Sequence, residues 1–257
     1  MSKVDIIISG DKHLDLRTEG IDRTDDICNS ATQIIDYAIS LKEQGNEVYY
    51  IDAGDTFHST RPRAEVIAKA ISLLRRMDLS EIPCHVIDGN HDVIDERGRT
   101  SALEPVIAAD MALVYVYHDI ELRPIRQGVN LIALPHISKA RAYEAGYKNV
   151  QCYIEDKAEK IEESLDKYDY NIILSHLNIA GATVGTEEFM IKGAHEDFPE
   201  VLKKSKKISY IFNGHFHKCQ LINNPGGAPI IVTGDVCTND FGERLDRKCF
   251  FHLELEV

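Results

Sequence analysis

Side chains of the metal-ligand type stand directly after short apolar runs at five places in this sequence. Asp11 and His13 follow VDIIIS, Asp55 follows VYYIDAG, Asn90 and His91 follow CHVIDG, His176 follows YNIILS, and His215 and His217 follow ISYIFNG. Each place alone says little. Gly, Asp and Asn are ordinary turn residues, and a single histidine is more often a hydrogen-bonded structural residue than a ligand. Turn chemistry gives no reason, however, for histidine at four of the five. Carboxylate, imidazole and amide oxygen together suit Mn, Fe or Zn better than Ca or a soft-metal site. One ion takes about four to six ligands, so the seven candidates besides His91 are too many for one ion and fit two ions sharing a carboxylate. Catalytic ion pairs lie about 3.5–4 Å apart. Residues i and i+2 of an extended segment point the same way about 6.5 Å apart, so His215 and His217 can serve one ion each.

The elements that must position these residues repeat as apolar run, polar knot, helical stretch. TDDICNSATQIIDYAISLKEQG has helical apolar spacing, acidic residues in its first turn and a glycine stop, and AEVIAKAISLLRRM and VQCYIEDKAEKIEESLDKY also read as helices. The closing runs APIIVTG and KCFFHLELEV read as strands. Alternating strands and helices predict an α/β fold, and the strand-rich end predicts an antiparallel part. The expected architecture is two packed sheets flanked by helices. In such sheets ligands bind beyond the carboxyl ends of the strands, where the five segments can meet in one crevice.

At 257 residues the expectation is a single domain over 1–257. Hydrophobic residues at 44% and charged residues at 28% exclude a disordered or collagen-like chain. No signal peptide or membrane-spanning run is legible, so the expected location is cytoplasmic, with no membrane partner. The six scattered cysteines, without a C-x-x-C pair, read as reduced thiols serving mostly as core filler. A net charge of −13 argues against a basic nucleic-acid coating protein but not against an enzyme whose acidic cluster is neutralised by cations.

With DKH, GD, GNHD, SHL and GHFH in order, the chain resembles the calcineurin-like metallophosphoesterases, two-sheet α/β sandwiches with a binuclear metal site. AGDTFHSTRP, GHFHKCQ, LSHLNIAGA and DFGERLDRKCF are most similar to the SbcD/Mre-type nuclease subunit of the SbcCD double-strand-break repair complex. The resemblance implies that Asp11, His13, Asp55 and His217 hold one Mn-like ion and Asp55, Asn90, His176 and His215 the other. Fe or Zn are alternatives. It further implies that a hydroxide between the ions attacks in line, that His91 protonates the leaving 3′ oxygen or stabilises the developing charge, and that His58 helps place the phosphate. Arg61 and Arg63 are the expected substrate contacts, with Arg75, Arg76, Arg97 and Arg99 in the same segments also candidates for phosphate.

The sequence departs from that family at TGDVC, where a G-S pair is usual, and it ends at Val257, where relatives continue into capping and partner-docking regions. The expected substrate is therefore single-stranded or frayed DNA, and a coiled-coil SbcC-like ATPase is a candidate partner. The same residues would also serve a phosphatase, a cyclic-nucleotide phosphodiesterase or a nucleotide pyrophosphatase. A non-catalytic scaffold of the same fold is a further reading, against which the presence of His91 counts. The run KKSKK at 203–207 reads as a solvated helix end, and His85, His118, His136, His195 and His252 read as structural.

Overall fold

The computed structural model describes residues 3–94, 101–167, 169–183 and 196–257. Arg97, Arg99 and His195 lie outside them. Two sheets carry the fold. The first has the order β13-β1-β4-β5-β6, where β1 is Lys3–Ser9, β4 Glu47–Asp52, β5 Cys84–Ile87, β6 Val114–Tyr117 and β13 Phe251–Glu256. Its four inner-sequence strands are parallel and β13 runs antiparallel to β1. The second has the order β11-β12-β10-β9-β8-β7, where β7 is Glu121–Arg126, β8 Val129–Leu134, β9 Tyr170–Ser175, β10 Ile208–Asn213, β11 Gln220–Ile222 and β12 Ile230–Val232. Here β8, β9, β10 and β12 are parallel, with β7 and β11 antiparallel at the edges. A short hairpin of β2 (Arg17–Thr18) and β3 (Ile21–Asp22) follows β1.

Strand residues alternate between two cores, as a period of two requires. Val4, Ile6 and Ile8 of β1 face Val129, Leu131, Ile172, Leu174 and Phe212 of the other sheet and form the middle of the sandwich. Ile7 faces the other way, with Tyr50, Cys84 and Val86, onto α1 (Thr24–Glu43) and α2 (Ala64–Leu79). The second sheet covers its outer face in the same manner, packing Ile173, Ile211 and Ile230 on Tyr153, Ile154 and Ala158 of α5 (Val150–Ser164). Each fully buried Ile or Leu contributes roughly 1.5–3 kcal/mol relative to exposure. Both sheets are covered on both faces, which explains the near-continuous apolar runs that precede the polar knots.

Helix α5 is capped by the Asn149 side chain, which accepts from the Cys152 N–H at 2.8 Å. It stops at Ser164, earlier than its charge pattern suggests, because Leu165 turns extended and is buried under the second sheet. The short helices α3 (Glu104–Ala108), α4 (Lys139–Glu144) and α6 (Glu200–Lys204) complete the layers. Among the described residues no helix is long and apolar enough to cross a membrane.

Candidate metal centre

The five polar knots leave the carboxyl ends of β1, β4 and β5 in one sheet and β9 and β10 in the other, so they meet where the sheets' ends face each other. Backbone hydrogen bonds sew them together. Asp11 N–H donates to the Gly54 carbonyl and His13 N–H to the Asp55 carbonyl, both at 2.9 Å, and Gly214 N–H donates to the Ser175 carbonyl at 2.9 Å. Asp11, His13, Asp55 and His215 have φ of 47°, 52°, 50° and 75°. Such left-handed backbone costs roughly 1–3 kcal/mol at a non-glycine residue and persists where the surroundings force it, typically at functional sites. Gly89 is needed for a different reason: a Cβ there would lie 2.0 Å from Asp55 Oδ1 and 2.3 Å from Asp55 N.

The side chains converge around Asp55. Its Oδ2 lies 3.3 Å from His176 Nε2 and 3.6 Å from His13 Nε2. Asn90 Oδ1 is 3.0 Å from both His176 Nε2 and His215 Nδ1, and His13 Nε2 is 3.1 Å from His217 Nε2. Asp11 accepts from His215 N–H at 2.8 Å through one oxygen. Asp11, His13, Asp55 and His176 are buried, while Asn90, His91 and His217 are half-buried at the mouth.

These residues fit a pair of divalent ions. Ligand bonds of about 2.0–2.2 Å place neighbouring donor atoms on one ion roughly 3–3.5 Å apart, close to the 3.0–3.6 Å separations found here. Tautomers agree. His176 Nδ1 donates to the Ala53 carbonyl at 2.6 Å and His217 Nδ1 to Glu243 Oε1 at 3.1 Å, which in the neutral rings leaves each Nε2 lone pair facing the cluster. Burial holds His13 well below the ordinary imidazole range, hence neutral, and its Nδ1 is a buried atom with no hydrogen-bond partner. Burial, opposed by His176 and reinforced by the Asp55 charge, pushes Asp11 up to about 7. His176 is raised to about 10, because the adjacent Asp55 carboxylate outweighs its burial. Two buried carboxylates that draw a proton onto a buried imidazole form a site that calls for positive charge.

His91 and His58 sit together beside this cluster. Their rings stack at 5.2 Å with 22° between planes, and His91 meets His13 edge-on at 4.8 Å. His91 Nδ1 donates to the His58 carbonyl at 2.9 Å, and its backbone N–H to Asp55 Oδ1 at 2.9 Å. Arg61 is exposed on the turn after His58. Arg63 does not join the cluster: its guanidinium bonds Asp15 at 2.5 Å, Asp22 at 2.6 Å and Glu65 at 2.7 Å, tying the β2–β3 hairpin to the start of α2. Arg75 and Arg76 lie near the C-terminal end of α2, which leads into the start of β5 and so sits at the opposite end of the sheet; they bond the Ala109 carbonyl and Asp36. The 203–207 lysines also precede a strand start, and Lys204 and Lys207 pair with Glu200 and Glu162, as a solvated helix end would.

Two supports are invisible in the strand-end pattern. Asp92 accepts N–H groups of Thr56, Phe57 and Gly89 at 3.1, 2.9 and 3.0 Å, clamping the Asp55 turn to the Asn90 turn. Glu243, besides holding His217, accepts from Lys248 Nζ at 2.9 Å and from Asn239 N–H at 2.9 Å. His217, Asp235 and Glu243 cluster like metal ligands, but the Lys248 ammonium already bonds both carboxylates and supplies the charge. The signal for Glu243 was the DFGE stretch; spacing alone did not tie it to His217.

A two-sheet sandwich with acidic and imidazole side chains gathered at its strand tips defines the class of metal-dependent phosphoester hydrolases. The sequence profile of the calcineurin-like phosphoesterases matches residues 4–219, and the chain belongs to that family. It is similar to the DNA double-strand break repair protein Mre11 of Methanococcus maripaludis, 25% identical over 218 residues that cover 81% of this chain and 50% of that protein. Mre11 of Saccharolobus solfataricus is 29% identical over 135 residues, 52% of this chain and 34% of that protein. The chain thus spans half or less of the length of these relatives. A dimetal phosphatase from Danio rerio shares the fold, with a TM-score of 0.56 at 12% identity, covering 91% of this chain and 88% of that one.

Proposed function

We propose that the chain is a phosphodiester hydrolase working with two divalent ions, Mn by preference, and that its substrate is DNA. Asp11, His13, Asp55 and His217 hold one ion, and Asp55, Asn90, His176 and His215 the other. The observation that carries this reading is the central place of Asp55, whose Oδ2 lies 3.6 Å from His13 Nε2 and 3.3 Å from His176 Nε2. When bound, the ions supply positive charge against phosphoryl oxygens and make water acidic enough to attack near neutral pH.

The chain's own residues do the rest. The His58 carbonyl fixes the His91 ring by accepting from Nδ1, so that the protonated imidazole has its Nε2–H left for a leaving 3′ oxygen. His58, stacked on it, and the exposed Arg61 on the same turn orient the phosphate. Arg63 positions that turn through its carboxylates and contacts substrate only if these are displaced.

Similarity to the two Mre11 proteins supports DNA over a small monoester. A net charge of −13 weakens nonspecific grip on a duplex, so single-stranded or frayed ends are the favoured form, bound with steep salt dependence. The partner suggested by the resemblance is an SbcC-like coiled-coil ATPase. The test is Mn-dependent turnover of single-stranded DNA, blunt duplex, bis-p-nitrophenyl phosphate and p-nitrophenyl phosphate, with and without that ATPase and ATP. Single-stranded DNA and the diester should turn over fastest. Faster hydrolysis of the monoester would replace the nuclease with a phosphatase, and inertness on all four would favour a scaffold.

A further inference from the structure

Cys219 and Cys249 stand 30 residues apart in sequence with their Sγ atoms 2.9 Å apart. Both are half-buried free thiols, within reach of a small oxidant. Their location links the two halves of one support. Cys219 lies two residues after His217, and Cys249 directly follows Lys248 at the end of the segment that carries Asp235, Asn239 and Glu243 behind the His217 ring. The backbone holds the halves together. Asp235 N–H donates to the His217 carbonyl at 3.2 Å, and Gly234, at φ 67°, lets the segment pass so close that a Cβ there would lie 2.6 Å from Cys219 N.

We propose that Cys219 and Cys249 form a reversible oxidation site whose disulfide clamps the Glu243 segment onto the His217 turn. With hydrogen peroxide as oxidant, one thiol sulfur attacks a peroxide oxygen; an S–O bond forms, the O–O bond breaks and water leaves, giving a sulfenic acid. The second thiol sulfur then attacks the first, the S–S bond forms, the S–O bond breaks and a second water leaves. Two electrons pass from the thiols to the peroxide, and a dithiol reductant reverses the change. The link closes the 219–249 segment into a ring, which restricts the unfolded chain and that segment together. Its effect on metal retention rests on the two-ion reading, whereas the link itself does not.

The experiment treats the full chain with peroxide and maps its peptides without reduction. A single linked peptide containing Cys219 and Cys249 is expected, together with a rise of roughly 5–10 °C in the Tm of the metal-free chain that dithiothreitol reverses. The Mn-loaded, oxidised chain should release Mn to a chelator about tenfold more slowly than the reduced one. Cys219→Ser and Cys249→Ser, made separately, should lose these responses and keep the untreated Tm and Mn content. Separate sulfinic acids on the two residues, a link from either to another cysteine, or a link without a rise in Tm would overturn the proposal. A link and a raised Tm in a chain that binds no Mn in either state would uphold the cysteine site and remove the two-ion reading instead.

Discussion

His91 and Glu243 separate two kinds of work in one site. His91 stands outside the proposed ligand set: its backbone N–H donates to Asp55 Oδ1, its Nδ1 is held by the His58 carbonyl and its ring abuts His13. Replacing it by Leu should leave Mn content unchanged while lowering the rate on DNA about 100-fold or more, the size of one positioned general acid. Mn content measured beside turnover checks this, and loss of metal would make His91 a ligand. Glu243 acts through His217. Against its burial, the hydrogen bonds from His217 and Lys248 hold its carboxyl well below the usual range, so it faces the imidazole as an anion. Glu243→Gln should weaken one of the two ions about 10–100-fold and spare the other, read by calorimetric titration with Mn. Equal weakening of both, or of neither, would count against the His217 link.

Turns and strands place these groups, and glycine spacing in the turns is as decisive as ligand chemistry. Gly89→Ala puts a methyl into Asp55; it should cost about 1–3 kcal/mol of stability and weaken both ions, in chemical denaturation and metal titration respectively. Strand β5 carries a second test. His85 is buried, shares a hydrogen bond with Tyr117 at 2.8 Å and stacks on Tyr115. Burial, reinforced by the Arg123 charge, lowers it from 6.5 to about 4. A depressed imidazole favours the folded state above its ordinary value, and that stability is lost as pH falls from 6.5 towards 4. His85→Gln should therefore flatten the loss of stability over this window, by up to roughly 3 kcal/mol at its acid end. An unchanged profile in urea unfolding would contradict the assignment.

The strand tips were legible because Asp, Asn and His interrupt runs that are apolar on both faces, and no turn or core requirement accounts for the histidines. The region of β6 to β8 was not, since Pro124 falls inside ELRPIR; it is accommodated because β7 is the sheet's edge. Arg75 and Arg76 were misplaced for a topological reason: a helix after a parallel strand runs back, so its last turn lies far from the strand tips. Asp92 and Glu243 work through backbone N–H groups and a ring nitrogen across long sequence separations, which residue spacing cannot encode.

At the scale of the whole molecule, the cleft joins two sheets that each have their own helical cover, so ions bound there would hold the sheets' ends together. Removing metal with a chelator should lower the Tm, and restoring Mn at about 100 times its dissociation constant should return roughly 2.7 kcal/mol. Differential scanning calorimetry reads this directly; a Tm indifferent to Mn would mean that the cleft does not take up the ion. Five strand ends from two sheets are proposed to build a single two-ion site around one shared carboxylate. Anomalous scattering from crystals of the Mn-loaded chain tests this most directly. Two peaks about 3.5–4 Å apart are expected on either side of Asp55, with His13 and His217 at one and His176 and His215 at the other. A single peak, with Asp55 bound to that ion alone, would contradict it.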